Sequence, residues 1–405
     1  MSKPTMTVLK EGVTSPQGFL AGAVYAGIKT RPDEKPDLTL LYSEHPCNAA
    51  ALFTASTLKA APVLLSQKHL GDGTAQAVIA NSGCANAYVG DQGRQDAEEM
   101  ARLAASKLGL ADSDVVVAST GVTGQAMPME KVRIAMPAIT LDRAGGDSFA
   151  RAIMTTDTVP KQAAVAFKLG DQEHRVGGCA KGAGMIHPNL ATMLAFVTTD
   201  APVESAFLHK TLQEAAAASF NMISVDGDTS PSDTLLILAN GAAGGAMIDE
   251  RSEGAPLFGK AVETVCVELA KGLARDAEGA TKLIEVEVVG ARTEHDARAA
   301  ARTVVASPLV KSAVYGNDPN WGRVIAAVAR SGITVSEETL SLFWQGTCLF
   351  EQGHPVPFDK SAMSAATNQP EVRIQVDLGM GRAAAVAWGC DLTEEYVKIN
   401  AEYTT

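Results

Sequence analysis

Apolar positions along this chain follow two periods that take turns. "AQAVIANSG" (75–83) and "DVVVASTG" (114–121) are short apolar runs closed by glycine. They predict buried strands, because a strand covered on both faces needs no polar alternation. Between them "RQDAEEMARLAASKLG" (94–109) spaces its apolar residues three and four apart and stops at glycine, which predicts a helix. "QAAVAFKLG" (162–170) and "EHRVGGCAKG" (173–182) predict two strands joined by a turn, "ESAFLHKTLQEAAAASF" (204–220) an amphipathic helix, and "TLLILAN" (234–240) a buried strand. Residues 256–279 begin on proline and predict a long helix ending near Gly279, with Glu278 closing it. "KLIEVEVVG" (282–290) alternates as a strand should, and "VRIQVDLG" (372–379) and "RAAAVAWGCDL" (382–392) predict two strands paired with each other. The sum is a mixed α/β fold with several antiparallel strand pairs and sheets flanked by helices, not a strict βαβ ladder.

Composition narrows the classes. The chain has 405 residues, 46% hydrophobic and 20% charged, with a formal net charge of -12. That length exceeds one small core, and that charge leaves no broad basic surface for phosphates, so nucleic acid is not an expected partner. No apolar run approaches the ~20 residues that span a bilayer, so no membrane is expected either. "FLAGAVYAGI" (19–28) imitates a signal peptide, but Glu11 and Pro16 precede it and the charged "KTRPDEKPD" follows, so a strand or hairpin is the better reading. The six cysteines form no CxxC pair and the seven histidines no HExxH. Reduced, buried thiols in a cytoplasmic protein and no metal site are expected. Asp226, Asp228 and Asp233 in "SVDGDTSPSDT" lack the spacing of an EF-hand loop, so no metal is assigned to them.

One seam carries candidate chemistry. "KGAGMIHPNLATMLAFVTTDA" (181–201) joins a glycine-rich loop to an apolar run, with Ala191-Thr192 at the junction. An N-terminal threonine is a nucleophile whose own α-amine serves as base, and a chain exposes one internally only by cutting itself before it. A small preceding residue and a flexible glycine loop favour the required N-to-O acyl shift. The plain alternative is that Ala-Thr simply opens a strand, which is what the spacing alone favours. Thr120-Gly121, where a strand runs into a glycine turn, offers a hydroxyl and backbone N–H groups to a developing oxyanion, or is a plain turn. Lys181, on the loop before Thr192, is either a solvated lysine or a cation that holds a substrate carboxylate or depresses the amine's pKa.

The segment 181–201 resembles, nearly residue for residue, the self-cleavage segment of the ornithine acetyltransferase (ArgJ) family of arginine biosynthesis, also called bifunctional glutamate N-acetyltransferase/amino-acid acetyltransferase. The resemblance continues in the same order through "GFLAGAVYAGIK", "NSGCANA", "STGVTGQ", "IMTTDT", "SFNMISVDGDTSPSDT", "GNDPNWGRV" and the ending "YVKINAEYTT". A small departure is Pro231-Ser232, where the family more often has a different pair. The resemblance implies a terminal-nucleophile architecture like that of self-cutting aminopeptidases. It implies cleavage into chains 1–191 and 192–405, with Thr192 as nucleophile and Thr120 and Gly121 as the oxyanion hole. It makes Thr155 (or its neighbour Thr156), Lys181, Thr192, Glu278, Asn400 and Thr405 substrate contacts, Glu278 facing an ammonium and the tail folding back over the site.

The implied reaction is ping-pong. Thr192 takes the acetyl group from N2-acetylornithine, ornithine leaves, and glutamate collects the acetyl. Donor and product are both α-amides, so no nucleotide and no cofactor is needed, although many family members also accept acetyl-CoA. The resemblance further implies a cytoplasmic heterotetramer of two copies of each cleaved chain. Three rivals remain open: a self-processing aminopeptidase or amidohydrolase with water as acceptor, an uncleaved binding module, and a dinucleotide site at "GMGRAA" (379–384). The last is opposed by the strand-like run that follows it.

Overall fold

The unbroken apolar runs become strands of a nine-stranded sheet covered on both faces, two of them interior and the 114–121 run at its edge. The computed structural model describes residues 6–29, 35–187 and 193–402, so Ala191, Thr192 and Thr405 lie outside the described residues. Strands β1 (Met6–Leu9), β2 (Phe19–Val24), β3 (Leu38–Phe53), β4 (Thr74–Cys84), β5 (Val115–Val122), β6 (Lys161–Leu169), β7 (Gln172–Lys181) and β8 (Leu194–Thr199) come first. The short β9 (Ile223–Ser224) and β10 (Thr234–Ala239) follow. The remainder are β11 (Leu283–Ala291), β12 (Ser341–Trp344), β13 (Thr347–Glu351), β14 (His354–Pro355), β15 (Glu371–Asp377) and β16 (Ala383–Cys390).

The large sheet runs β1-β6-β7-β8-β10-β3-β4-β5, and β2 pairs with the first half of the long β3. "FLAGAV" is therefore a sheet strand. β4 and β5 are parallel, joined through the helix Gly90–Leu108, while β7 runs antiparallel to both β6 and β8. Alternate residues of β8 and β10 separate two cores. Ala195, Val197, Leu235 and Ile237 face the helices Ser205–Ala218 and Ala255–Arg275, and Leu194, Phe196, Leu236 and Leu238 cluster with Phe149 of the helix Gly146–Ala152. A seven-stranded sheet, β14-β13-β12-β15-β11-β16-β9, lies beyond the 255–275 helix. The fold is thus mixed α/β with helices flanking both sheets.

Two local expectations fail for tertiary reasons. The long helix stops at Arg275, so Glu278 does not close it. Asp276 turns its carboxylate to the backbone N–H groups of Thr158 and Val159, and the Glu278 N–H donates to Ala183 O at 2.8 Å instead of a helical carbonyl. The strands in 372–379 and 382–392 do not pair with each other. β11 lies between them, parallel to β15 and antiparallel to β16. The link "GMGRAA" crosses the end of β11, where a Cβ on Gly381 would sit 2.2 Å from Ala291 O. It leads into β16 with no helix to receive a phosphate.

Candidate active site

Strand ends and turns distant in sequence meet at one cavity. Near the end of β5, Thr120 and Gly121 sit opposite Ser82 and Gly83 of β4, and the register shifts at Cys84. Gly121 has φ 126, and a Cβ there would lie 2.4 Å from the Gly83 carbonyl carbon, so the position admits only glycine. Lys181 ends β7, paired with Leu194 at the start of β8. A cavity of about 260 Å³ is lined by Thr120, Gly121, Thr155, Thr156, Lys181, Ser230, Ser232, Glu278 and Asn400. Every predicted site residue within the described chain lines it. Thr155 and Thr156 both reach it, and the geometry does not prefer one.

Lys181 is 2% exposed and, among the described residues, has no ion-pair partner. Its Nζ donates to Thr120 Oγ1 at 3.1 Å. An ammonium can only donate, so Thr120 uses a lone pair there and keeps its own O–H for another acceptor. Burial pulls the Lys181 pKa below its ordinary value. Asp157, Asp233 and Glu278 oppose that pull, and Lys161 adds to it. A buried cation without a paired anion is costly unless a ligand or a network compensates it.

The opposite wall is carboxylate and amide. Asn400, on the helix Glu394–Glu402, donates to Glu278 Oε2 at 2.8 Å and to Tyr396 O at 3.0 Å. The Gly184 backbone passes so close that a Cβ would lie 2.4 Å from Glu278 Oε2. The C-terminal helix therefore closes over the cavity as far as it is described.

Two further aspartates shape the seam. Asp226 accepts from the N–H groups of Met185 (2.5 Å) and Ile186 (2.9 Å) and from the Tyr396 hydroxyl (3.3 Å), pinning the glycine loop. Burial raises its pKa against those backbone donors. Asp233 is fully buried. Its Oδ1 accepts from Ser230 Oγ at 2.6 Å and from Met193 N at 2.9 Å, and its Oδ2 has no partner among the described residues. Burial drives its pKa well above the carboxylate range. The chain that resumes after Thr192 is thus tied to a cavity-lining serine through one carboxyl group.

The ArgJ family model matches residues 20–405. The chain belongs to the ArgJ family. It is 47% identical over 404 residues to the arginine biosynthesis bifunctional protein ArgJ of Dehalococcoides mccartyi, covering 100% of each chain. It is 50% identical over 402 residues to that of Symbiobacterium thermophilum, covering 99% of this chain and 100% of the relative. A crystal structure of the bifunctional protein from Bacillus halodurans aligns with a TM-score of 0.50 at 42% identity, covering 51% of this chain and 98% of that one. The chain is accordingly an enzyme of arginine biosynthesis.

Sequence reading missed the groups behind the cavity wall: Asp157, Lys161, Asp276 and the tether role of Asp233. Asp157 and Lys161 stand four apart in "DTVPK", a spacing common on surfaces, and nothing local marks Asp276 as their partner. Only the convergence of β6, β7 and the 255–275 helix brings them together.

Proposed function

We propose that the chain cuts itself between Ala191 and Thr192 and that Thr192 then carries an acetyl group from N2-acetylornithine to glutamate. Acetyl transfer in arginine biosynthesis is the activity the family membership carries. The observation that most supports the finer reading is the convergence of Thr120, Gly121, Thr155, Lys181, Glu278 and Asn400 on one cavity. The described chain resumes at Met193 beside that wall, bound to Asp233.

Each residue has a role its surroundings favour. Lys181, buried and without an ion-pair partner among the described residues, anchors the α-carboxylate that acetylornithine and glutamate share. The Thr120 hydroxyl and the Gly121 backbone stabilise the oxyanion of both half-reactions. Glu278, oriented by Asn400, receives the ornithine side-chain ammonium. The acetyl-threonine ester splits one difficult amide exchange into two steps, and its survival requires that water be kept out. Acetyl-CoA serves as a second donor, in keeping with the word bifunctional in the relatives' names. The cut halves remain together as a cytoplasmic assembly of two copies of each. A solved relative whose chain spans about half of this one accords with a two-chain enzyme.

Mass spectrometry of purified protein should give chains 1–191 and 192–405, and Edman degradation a second sequence beginning Thr-Met-Leu-Ala. Thr192→Ala should stay intact and inactive. A single intact chain in active wild-type material would sink this reading. Acetylglutamate rather than free acetate from acetylornithine and glutamate separates transfer from hydrolysis.

A further inference from the structure

Behind Lys181 and Thr155 lies an ion network that the reaction scheme above does not use. Lys161 opens β6 and is 5% exposed. Its ammonium is hydrogen-bonded to Asp157 Oδ1 and, at 2.5 Å, to Asp276 Oδ2. Asp157 also accepts from the Gly182 N–H at 2.7 Å through Oδ1 and from the Thr155 N–H at 3.0 Å through Oδ2. Asp276 binds the backbone of Thr158 and Val159 and the Thr158 hydroxyl. The network therefore ties together three walls of the cavity. These are the 155–158 turn, the end of β7 with Lys181 and Gly182, and the turn that carries Glu278.

Its charge count explains a second fact. Lys181 is buried with no ion-pair partner among the described residues, a state that should drive off its proton. Two carboxylates, Asp157 and Asp276, share the single cation Lys161, which leaves one negative charge in excess behind Lys181. That excess, carried by Asp157 and joined by Glu278 on the cavity wall, offsets the Lys181 ammonium.

We propose that Asp157 is a positioning residue for substrate capture. Its carboxylate fixes the Thr155 turn and the Gly182 backbone and keeps Lys181 in its charged, anion-binding form, with Lys161 and Asp276 completing the network. This rests on the reading of Lys181 as the substrate-carboxylate anchor. Asp157 is suited to the task because it stays ionised. Burial pushes its carboxyl up, but Lys161, Lys181 and the Gly182 N–H bring it down to about 2. The groups that act on Lys181 are Asp157, Lys161, Asp233 and Glu278, and Asp157 exerts the largest upward influence. Removing that charge leaves burial and Lys161 to lower the lysine further. The sign follows: in Asp157→Asn, Lys181 loses its proton at a lower pH than in the wild type.

The test is KM for glutamate as a function of pH, measured on processed enzyme, for wild type, Asp157→Asn and Lys181→Ala. Asp157→Asn should raise KM and move the alkaline limb of kcat/KM to lower pH by about one unit or more. Should Asp157→Asn fail to fold, Asp276→Asn replaces it. That change leaves Lys161 to Asp157 alone, so the limb should move in the same direction by less. A uniform rise in KM with an unmoved limb, or no change at all, overturns the proposal, because a purely structural wall would behave so. Lys181→Ala separates the two levels. If it leaves KM unchanged, the anchor reading itself is wrong, whereas a raised KM in Lys181→Ala with an unmoved limb in Asp157→Asn removes only the network's role.

Discussion

At the scale of single residues, Thr120 has the clearest division of labour. Its oxygen takes the Lys181 hydrogen bond, and its proton remains to be given. It is 4% exposed yet lines the cavity, so a donor there acts out of reach of bulk water, where a hydrogen bond to a forming oxyanion is strongest. Replacing it with valine keeps the volume and the β-branch and removes only the hydroxyl. We predict that Thr120→Val lowers kcat by roughly 100- to 1,000-fold, equivalent to about 3–4 kcal/mol, and that Thr120→Ser recovers most of the loss. A valine variant within tenfold of wild-type kcat would take this hydroxyl out of the oxyanion site. The companion residue, Gly121, was legible in the sequence as a glycine after an apolar run. Its reason was not, because the close approach of the Gly83 carbonyl carbon belongs to the pairing of β4 with β5.

At the scale of elements, most strands and helices were legible because apolar period and glycine stops are local signals. The runs at 75–83, 114–121 and 234–240 became β4, β5 and β10, and the 94–109 pattern became a helix starting slightly earlier, at Gly90. What failed was pairing and termination, which are set at a distance. No local pattern says that β11 will insert between β15 and β16, nor that Asp276 will leave its helix for the 158–159 backbone. The same division holds in the site. Cavity-facing residues were recognised from motifs, whereas Asp157, Lys161 and Asp276 emerge only from packing. The 255–275 helix is the element that joins these levels. Val265 and Leu269 rest on Gly178 of β7, where even a Cβ would approach them to 3.0 and 3.1 Å, and the helix end supplies Asp276. Leu269 is 1% exposed, so Leu269→Ala removes buried methyl groups from a site with little room to collapse. We predict a loss of about 2–5 kcal/mol in urea unfolding, with KM disturbed because β7 and the Asp276 turn lose a common support. A change under about 0.5 kcal/mol would contradict the packing described, since that is the range of ordinary surface substitutions.

At the scale of the whole molecule, the proposed cut falls in the chain between β7 and β8, which are neighbours in one continuous sheet. β8 lies between β7 and β10, hydrogen-bonded to β7 from Lys181–Leu194 to Val176–Thr199, and β10 in turn pairs with β3 from Phe53 to Asn48. Residues on both sides of the seam share the same cores: Val176 and Phe167 with Phe258 and Val262, and Leu41 and Phe149 with Phe196 and Leu236. Separating the halves would expose edge strands and apolar faces that nothing else covers. Chains 1–191 and 192–405 should therefore elute as one species in native chromatography and part only when the whole fold unfolds. Cutting changes the order of that reaction, because unfolding then releases two chains where an intact chain releases one. By mass action, dilution should lower the melting midpoint of processed protein more steeply than that of Thr192→Ala, compared over the same range of concentrations. Equal dilution dependence in the two proteins would mean that the halves are held by something other than the shared sheet, or that no cut has been made. Mass spectrometry of the same samples tells those two outcomes apart.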